Sequence, residues 1–261
     1  MKIAEIFLLV NVSIAFVAFS LVASAIYVFN DYIDIEDDKL HSKKKKRPLV
    51  SGTITKKQAI LIMFLLFMMG STLMVLVSLK AAGVLFIYVL MNIFYSLYLK
   101  HIPILDVTII SLGFILRLFI GSVVTNISLS MWIVVMTFLL ALFMALAKRR
   151  DDVLSYLDTG KKMRKVIYGY NLQFLDTTMG IMASVVIVSY ILYTTSSEVI
   201  ARVHSEYLYL TSFFVILGIM RYLQIIFVLK DSGSPTRIVL KDKFLQIILL
   251  GWILTFSWII Y

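Results

Sequence analysis

The residues with the clearest chemical potential run Asn30-Asp31-Tyr32-Ile33-Asp34-Ile35-Glu36-Asp37-Asp38. Five acidic side chains and an amide stand between a long apolar stretch and the basic run Lys43-Lys44-Lys45-Lys46-Arg47. If the helix before them continues, Asn30, Asp34 and Asp38 stack at i, i+4 and i+8, with Asp31 three residues before Asp34. Carboxylates at this spacing repel one another unless a cation sits among them. Oxygen-only ligands favour Mg²⁺, held through one or two carboxylates together with substrate phosphates. Asp31, Asp34 and Asp38 are therefore the expected metal ligands, with Asn30 beside them. The alternative is a solvated acidic helix end, offset by the lysines that follow.

These residues need elements to hold them, and the composition says which kind. The chain has 261 residues, 61% hydrophobic and 15% charged, with a mean hydropathy of +0.96. A soluble domain is about half apolar and about a quarter charged, so this is an all-α, polytopic membrane protein, read as one helical domain over 1–261. There are no cysteines, which excludes disulfides, thiolate metal sites and a cysteine nucleophile. The net charge of +10 reports membrane topology and contact with anionic lipid or phosphorylated substrates rather than nucleic acid. The first apolar run is too long for a cleavable signal and lacks a small-residue cleavage site. A transmembrane helix needs about 20 apolar residues, which gives eight candidates at about 6–29, 58–79, 83–99, 105–124, 130–147, 170–194, 207–229 and 244–260.

Basic residues alternate sharply between the loops. Lys39, Lys43 to Lys46, Arg47, Lys56 and Lys57 lie in the first loop and Lys100 in the next on that side. Lys148, Arg149, Arg150, Lys161, Lys162, Arg164 and Lys165 mark the third, and Lys230, Arg237, Lys241 and Lys243 the fourth. Only Lys2, Lys80 and Arg202 fall on the opposite side. The positive-inside rule makes the basic loops cytoplasmic. That starts the N-terminus outside, which leads to the expectation that a first helix is missing or that translation starts further upstream. The groups capable of chemistry then gather at the cytoplasmic face of the cell membrane. His41, His101 and His204 have no metal-ligand spacing, and neither a Gly-rich phosphate loop nor an internal repeat is visible. Arg117 and Arg221 sit inside apolar runs, where a charge costs several kcal/mol and seeks a polar cavity or a partner. Arg117 either reaches a phosphate in a central pocket or pairs with Asp106 or Asp176. Arg221 lies near a helix end, where snorkelling is open to it.

A carboxylate cluster, several cations and an apolar helical bundle suit a substrate with a polyprenyl tail and a phosphate or diphosphate group. Metal and basic residues would neutralise the phosphate oxygens, and the bundle would solvate the tail. At this point the chain resembles the UbiA superfamily of intramembrane prenyltransferases. The resemblance rests on Asn30-Asp31-x-x-Asp34-x-x-x-Asp38, then Lys46-Arg47-Pro48-Leu49-x-Ser51-Gly52, then Tyr95-Ser96 with Lys100, and it covers nearly the whole chain. It implies that the first motif binds Mg²⁺ and the diphosphate of a donor. It also implies a fold of usually nine helices, whose first cytoplasmic helix end often carries a basic, Trp-containing motif that this sequence does not show.

The family's second motif usually reads Tyr-x-x-Lys-Asp-x-x-Asp-x-x-x-Asp. Here it is Lys148-Arg149-Arg150-Asp151-Asp152-x5-Asp158. With Arg164-Lys165-Val166-x-x-Gly169-Tyr170-Asn171-x-x-Phe174-Leu175-Asp176 and Gly233-Ser234-Pro235-Thr236, this version is similar to one branch, the decaprenyl-phosphate phosphoribosyltransferases. Tyr168 and Arg237 depart from that branch, which is expected to carry acidic residues there.

The branch implies transfer of 5-phosphoribose from phosphoribosyl diphosphate to a polyprenyl phosphate, with release of diphosphate. Asp31, Asp34 and Asp38 would hold the leaving diphosphate with Mg²⁺, and the anionic lipid phosphate would attack the anomeric carbon without a strong general base. Lys46, Arg47, Lys148, Arg149, Arg164 and Arg117 are the candidates for the phosphate groups, Lys148 as a catalytic cation. Asn30, Lys100 and Tyr170 complete the substrate-binding set, and Asp151 or Asp152 would touch ribose hydroxyls or a second metal. Expected partners are these two substrates and the membrane, with no nucleic acid; a homo-oligomer is compatible with the sequence. The alternative enzyme alkylates an aromatic acceptor with a polyprenyl diphosphate, and would need aromatic side chains to stabilise a carbocation. A transporter or lipid carrier fits less well, because transporters place ionisable residues near the bilayer midplane and these cluster at one interface.

Overall fold

The computed structural model describes residues 3–39, 44–159, 165–229 and 235–260. Among these residues the regular structure is helical throughout, and eight helices are long and apolar enough to cross a membrane. The chain divides into two compact units, Met1–Leu129 with Lys162–Val166, and Ser130–Lys161 with Ile167–Tyr261.

The first unit holds α1 (Ile3–Ile33), α2 (Ile35–Lys39), α3 (Pro48–Ser51), α4 (Lys56–Val77), α5 (Leu79–Leu97) and α6 (Leu105–Thr125). Local chemistry sets their ends. Thr55 and Gln58 form a reciprocal capping box that starts α4. Ser78 ends α4 in extended conformation, and its hydroxyl accepts from Ala81 N to start α5, so one residue turns the chain. Gly52, at φ 80°, ends α3 in the left-handed conformation that glycine tolerates best. Helices surrounded by lipid gain little by hiding apolar surface, so close packing of small residues holds them together. Gly70 of α4 shows this: a Cβ there would lie 2.6 Å from the Ala18 carbonyl oxygen of α1. Ala15, Ala18, Val22, Met74, Ala81 and Leu85 form the buried centre, while Phe7, Phe16, Leu76 and Leu79 remain exposed, as a lipid-facing surface requires.

The second unit holds α7 (Met131–Thr159), α8 (Leu172–Thr195), α9 (Ser197–Val203), α10 (Ser212–Phe227), α11 (Pro235–Lys241) and α12 (Lys243–Ile260). Helix α7 packs along α8, and α10 packs against both α8 and α12. Trp252 Nε1 donates to Tyr190 Oη at 2.8 Å, and that hydroxyl shares a 2.8 Å hydrogen bond with Thr211 Oγ1, tying α12 to α8 and to the start of α10.

Two boundaries differ from the sequence expectation. Helix α7 does not stop at residue 147 but continues to Thr159, so Lys148 to Asp152 lie on a helix rather than in a loop. Helix α1 runs to Ile33 and breaks for one residue at Asp34. Asp34 N still bonds Asn30 O at 3.0 Å, and Asp38 N bonds Asp34 O at 2.8 Å, so the helical spacing carries through the acidic motif.

Candidate functional site

In the first unit the acidic ladder is enclosed by cations. Asp34 is 6% exposed and accepts from Lys100 Nζ, itself 4% exposed. Lys100 gets there because α5 ends at Leu97 and a short 3-10 turn, Leu99–His101, carries it round. Arg47 Nη1 donates to both Asp31 Oδ1 at 2.7 Å and Asp38 Oδ2 at 2.6 Å. Pro48 at the first position of α3 favours the extended backbone of Arg47, φ −63° and ψ 144°, from which its side chain makes both contacts. Lys44 Nζ adds a contact to Asp38 Oδ1 at 3.4 Å. Outside this cluster, Glu36 pairs with Lys39 at 2.8 Å, and that hydrogen bond holds its carboxyl below the usual range. Lys46 is exposed.

Asn30 Nδ2 donates to Asp34 Oδ2 at 3.2 Å, while Asn30 Oδ1 is buried with no hydrogen-bond partner among the described residues. Also among these residues, no three carboxylate or imidazole groups converge closely enough to hold a metal ion. Arg47 and Lys100 occupy the space between the carboxylates instead. The donor chemistry nevertheless fits a hard divalent cation: three carboxylates and an amide oxygen that lacks a donor, with no sulfur and no imidazole.

Arg117 has neither of the carboxylate partners considered from sequence. Its guanidinium lies 4.6 Å from the Phe114 ring, 5.3 Å from Phe19 and 5.9 Å from Tyr88. These rings stabilise a cation in an apolar setting. The guanidinium borders a cavity of about 410 Å³ lined by Phe16, Ser20, Ala23, Ile120 and Val124 among others. Asp176 instead pairs with Arg150.

In the second unit, the three consecutive cations of α7 have different surroundings. Lys148 is exposed. Arg149 is 2% exposed and donates to Asp152 one turn further on. Arg150 is 6% exposed; its Nε donates to Asp176 Oδ1 at 2.6 Å, its Nη1 to the Ile226 carbonyl at 3.0 Å, and it lies 5.1 Å from the Phe227 ring. Arg150 therefore binds α7 to α8 and α10. Asp151 is partly buried, and Tyr170 is buried with its ring 6.1 Å from Phe174. Arg164 lies outside the described residues. Arg221 does more than snorkel: Nη2 donates to Asp242 Oδ2 at 2.6 Å, Nη1 to Gln224 Oε1 at 2.7 Å, and Phe244 lies 5.7 Å away. Asp242 also accepts from Leu245 N at 2.9 Å, capping α12. The Arg221 hydrogen bond is the main reason its carboxyl is held below the usual range.

The structure thus joins Asn30, Asp31, Asp34, Asp38, Arg47 and Lys100 in one unit, and Arg149 with Asp152 in the other. Sequence reasoning missed the structural work of Arg150 and Asp242. A lone Asp just before an apolar helix was a visible capping signal for Asp242.

The sequence and the fold have known counterparts. Residues 3–259 match the profile of the UbiA prenyltransferase family, and the chain belongs to that family. It is a multi-pass membrane transferase. The chain is 32% identical over 260 residues to the decaprenyl-phosphate phosphoribosyltransferase of Mycolicibacterium smegmatis, covering 96% of this chain and 80% of that protein. It is 29% identical over 255 residues to the enzyme of the same name from Corynebacterium glutamicum, covering 97% and 76% respectively. The fold resembles a UbiA homolog from Archaeoglobus fulgidus, solved bound to GPP and Mg²⁺, with a TM-score of 0.70 at 18% identity over 96% of this chain and 87% of that one.

Proposed function

We propose that this protein transfers a 5-phosphoribosyl group from phosphoribosyl diphosphate to a polyprenyl phosphate, releasing diphosphate, at the cytoplasmic face of the cell membrane. The observation that carries the reading is the likeness, along almost the whole chain, to relatives named for that reaction. The ring of Lys44, Arg47, Lys100, Asp31, Asp34 and Asp38 supports it, because three cations facing three carboxylates suit a diphosphate and its counter-ion. The whole chain, 1–261, serves as one UbiA-like domain in this reading.

Asp31, Asp34, Asp38 and Asn30 Oδ1 are the groups that would hold Mg²⁺, which supplies charge neutralisation on the leaving diphosphate. Arg47 and Lys100 keep the carboxylates in place and stand within reach of diphosphate oxygens as donors. As the bond from the anomeric carbon to diphosphate oxygen breaks, a lipid phosphate oxygen forms the new bond to that carbon. That oxygen is already anionic, so no residue need remove a proton. Lys148, Arg149 and Arg164 supply positive charge for the 5-phosphate and the lipid phosphate, and Asp151, Asp152 and Tyr170 meet the sugar hydroxyls. Arg117 and Lys46 act as auxiliary phosphate contacts.

The test is a transfer assay in nanodiscs with labelled phosphoribosyl diphosphate and a polyprenyl phosphate, with and without Mg²⁺, beside Asp34→Ala. A Mg²⁺-dependent labelled lipid that disappears in the variant is the expected result. Absence of labelled lipid, with prenylation of an aromatic acceptor from a polyprenyl diphosphate, would replace this reading with the aromatic one.

A further inference from the structure

The second unit contains a groove that the chemistry above leaves without a role. It has a volume of about 400 Å³ and is walled by α7, α8, α10 and α12. Its lining is apolar side chains such as Ile133, Leu140, Val215, Ile248 and Leu249, with few polar atoms. That volume falls within the range of about 300–1,000 Å³ for small-ligand sites.

One polar group in the wall has no partner. Tyr222 lines the groove, is 4% exposed, and its hydroxyl makes no hydrogen bond among the described residues. A buried hydroxyl left without a partner is destabilising, and a ligand with an acceptor oxygen would relieve it. The position of Tyr222 shows which end of the groove is polar. It lies five residues before the end of α10, about 8 Å along the axis. Its ring packs 5.5 Å from Phe143 of α7, five residues before Lys148. One turn beyond Tyr222, the Ile226 carbonyl accepts from Arg150. The basic segment of α7 therefore stands just past Tyr222 at the same end. Lys241 and Lys243 flank Asp242 between the groove residues Val239 and Leu245. The groove is apolar along its length; at the end where the Tyr222 hydroxyl lies, Arg149, Arg150 and Arg221 are paired with Asp152, Asp176 and Asp242, and Lys148, Lys241 and Lys243 add positive charge.

We infer that this groove seats the first isoprene units of the polyprenyl phosphate acceptor, and that Tyr222 Oη donates a hydrogen bond to its phosphate. The inference rests on the phosphoribosyl-transfer reading. An anionic head meets the positive charge of these lysines, and a single unbranched-backbone chain fills the apolar part. The groove holds only part of a long chain, so affinity rises over the first few isoprene units and then levels off.

The test uses the full chain in nanodiscs. Tyr222→Phe removes only the hydroxyl, and is expected to raise the KM for polyprenyl phosphate about tenfold, the scale of a hydrogen bond to a charged group. The KM for phosphoribosyl diphosphate stays within about twofold on the same principle, because that substrate does not use the bond. Gly218→Leu fills the groove wall, where a Cβ already meets Ile248 at 3.7 Å, and abolishes the gain from chain length. A photoreactive diazirine polyprenyl phosphate labels α10 or α12 in the parent protein and not in Gly218→Leu.

Unchanged lipid KM in both variants overturns the inference, as does labelling confined to other helices. Equal labelling by a diazirine phosphatidylglycerol that polyprenyl phosphate does not displace makes the groove a bulk-lipid seat and also overturns it. If the parent transfers no phosphoribose but the polyprenyl probe still labels α10 or α12, the seat stands and the reaction reading falls.

Discussion

Lys100 and Asp34, 66 residues apart in sequence, meet as a buried ion pair at the end of the first unit's bundle. Their side chains are 5% and 8% exposed, so water does little to screen either charge. Removing one partner strands the other in a medium that solvates it poorly, at about 3–5 kcal/mol. Lys100→Met should therefore lower the unfolding midpoint in detergent markedly. The double variant Lys100→Met/Asp34→Leu should recover much of that stability yet remain inactive, since stability needs only a balanced site and turnover needs the charges. Recovery of activity in the double variant would show that the pair is structural only.

Arg47 bridges Asp31 and Asp38, and so stands where a divalent cation would draw those same carboxylates together. The proposed function makes Arg47 and the metal competitors for the carboxylates before substrate arrives. Arg47→Ala is expected to bind Mg²⁺ more tightly in the absence of diphosphate, read as a larger Mg²⁺-induced rise in unfolding temperature. The same variant should lose affinity for diphosphate. Asp34→Ala should abolish the Mg²⁺-induced rise altogether. An Arg47→Ala protein with an unchanged response to Mg²⁺ would remove the metal from this cluster.

Lys148 and Arg150 are two residues apart but should fail in different ways. Arg150 is buried and donates to Asp176 and to the Ile226 carbonyl, so Arg150→Met leaves a carboxylate and a carbonyl without their donor. The expected loss is about 3 kcal/mol or more of stability. Lys148 is exposed, so Lys148→Ala should keep the parent unfolding midpoint and lower the transfer rate at least tenfold, or about 1.4 kcal/mol of barrier. Parallel thermal melts and rate measurements on the two variants separate the roles.

The contrast between these neighbours shows what sequence reading reached. The acidic ladder was legible because helical periodicity alone puts Asn30, Asp34 and Asp38 on one face. The eight spans were legible because membrane thickness fixes their length. The extension of α7 was not, because five charged residues in a row look like a loop. They stay helical because Arg149 pairs with Asp152 within the helix and Arg150 finds Asp176 on its neighbour. The Arg221–Asp242 pair was hidden for a related reason: its partners are 21 residues apart, and no periodicity links them. Arg117 was recognised as unusual, but a cage of three rings from three helices is a tertiary fact that no local pattern predicts.

Gly70 tests how far the site depends on helix packing remote from it. A methyl group there would meet the Ala18 carbonyl oxygen at 2.6 Å and Val22 Cγ2 at 2.7 Å, and the first of these is backbone that cannot rotate away. Gly70→Ala should push α4 from α1 and cost about 1–3 kcal/mol. Helix α1 leads directly into the acidic ladder, so the variant should also lose transfer activity without any change in a charged residue. A melt and an activity assay at one temperature check this; a variant as stable as the parent would mean that the two helices separate freely.

Asp242 carries a pH dependence whose sign follows from its partner. Its hydrogen bond from Arg221 holds the folded-state carboxyl below the ordinary value of 3.8. A lowered folded pKa means that the carboxylate stabilises the fold at any pH above the unfolded value, and that this contribution is lost as pH falls through the folded one. The tie between α10 and α12 should therefore be constant across neutral pH and weaken only in acid. Asp242→Asn keeps the shape and removes the charge. The gap in unfolding temperature between parent and variant should be flat from pH 8 to about pH 5, should begin to narrow only as pH falls below the unfolded value of about 4, and should close as pH passes through the lower folded one. A gap that closes near neutral pH would place the controlling group on a histidine instead.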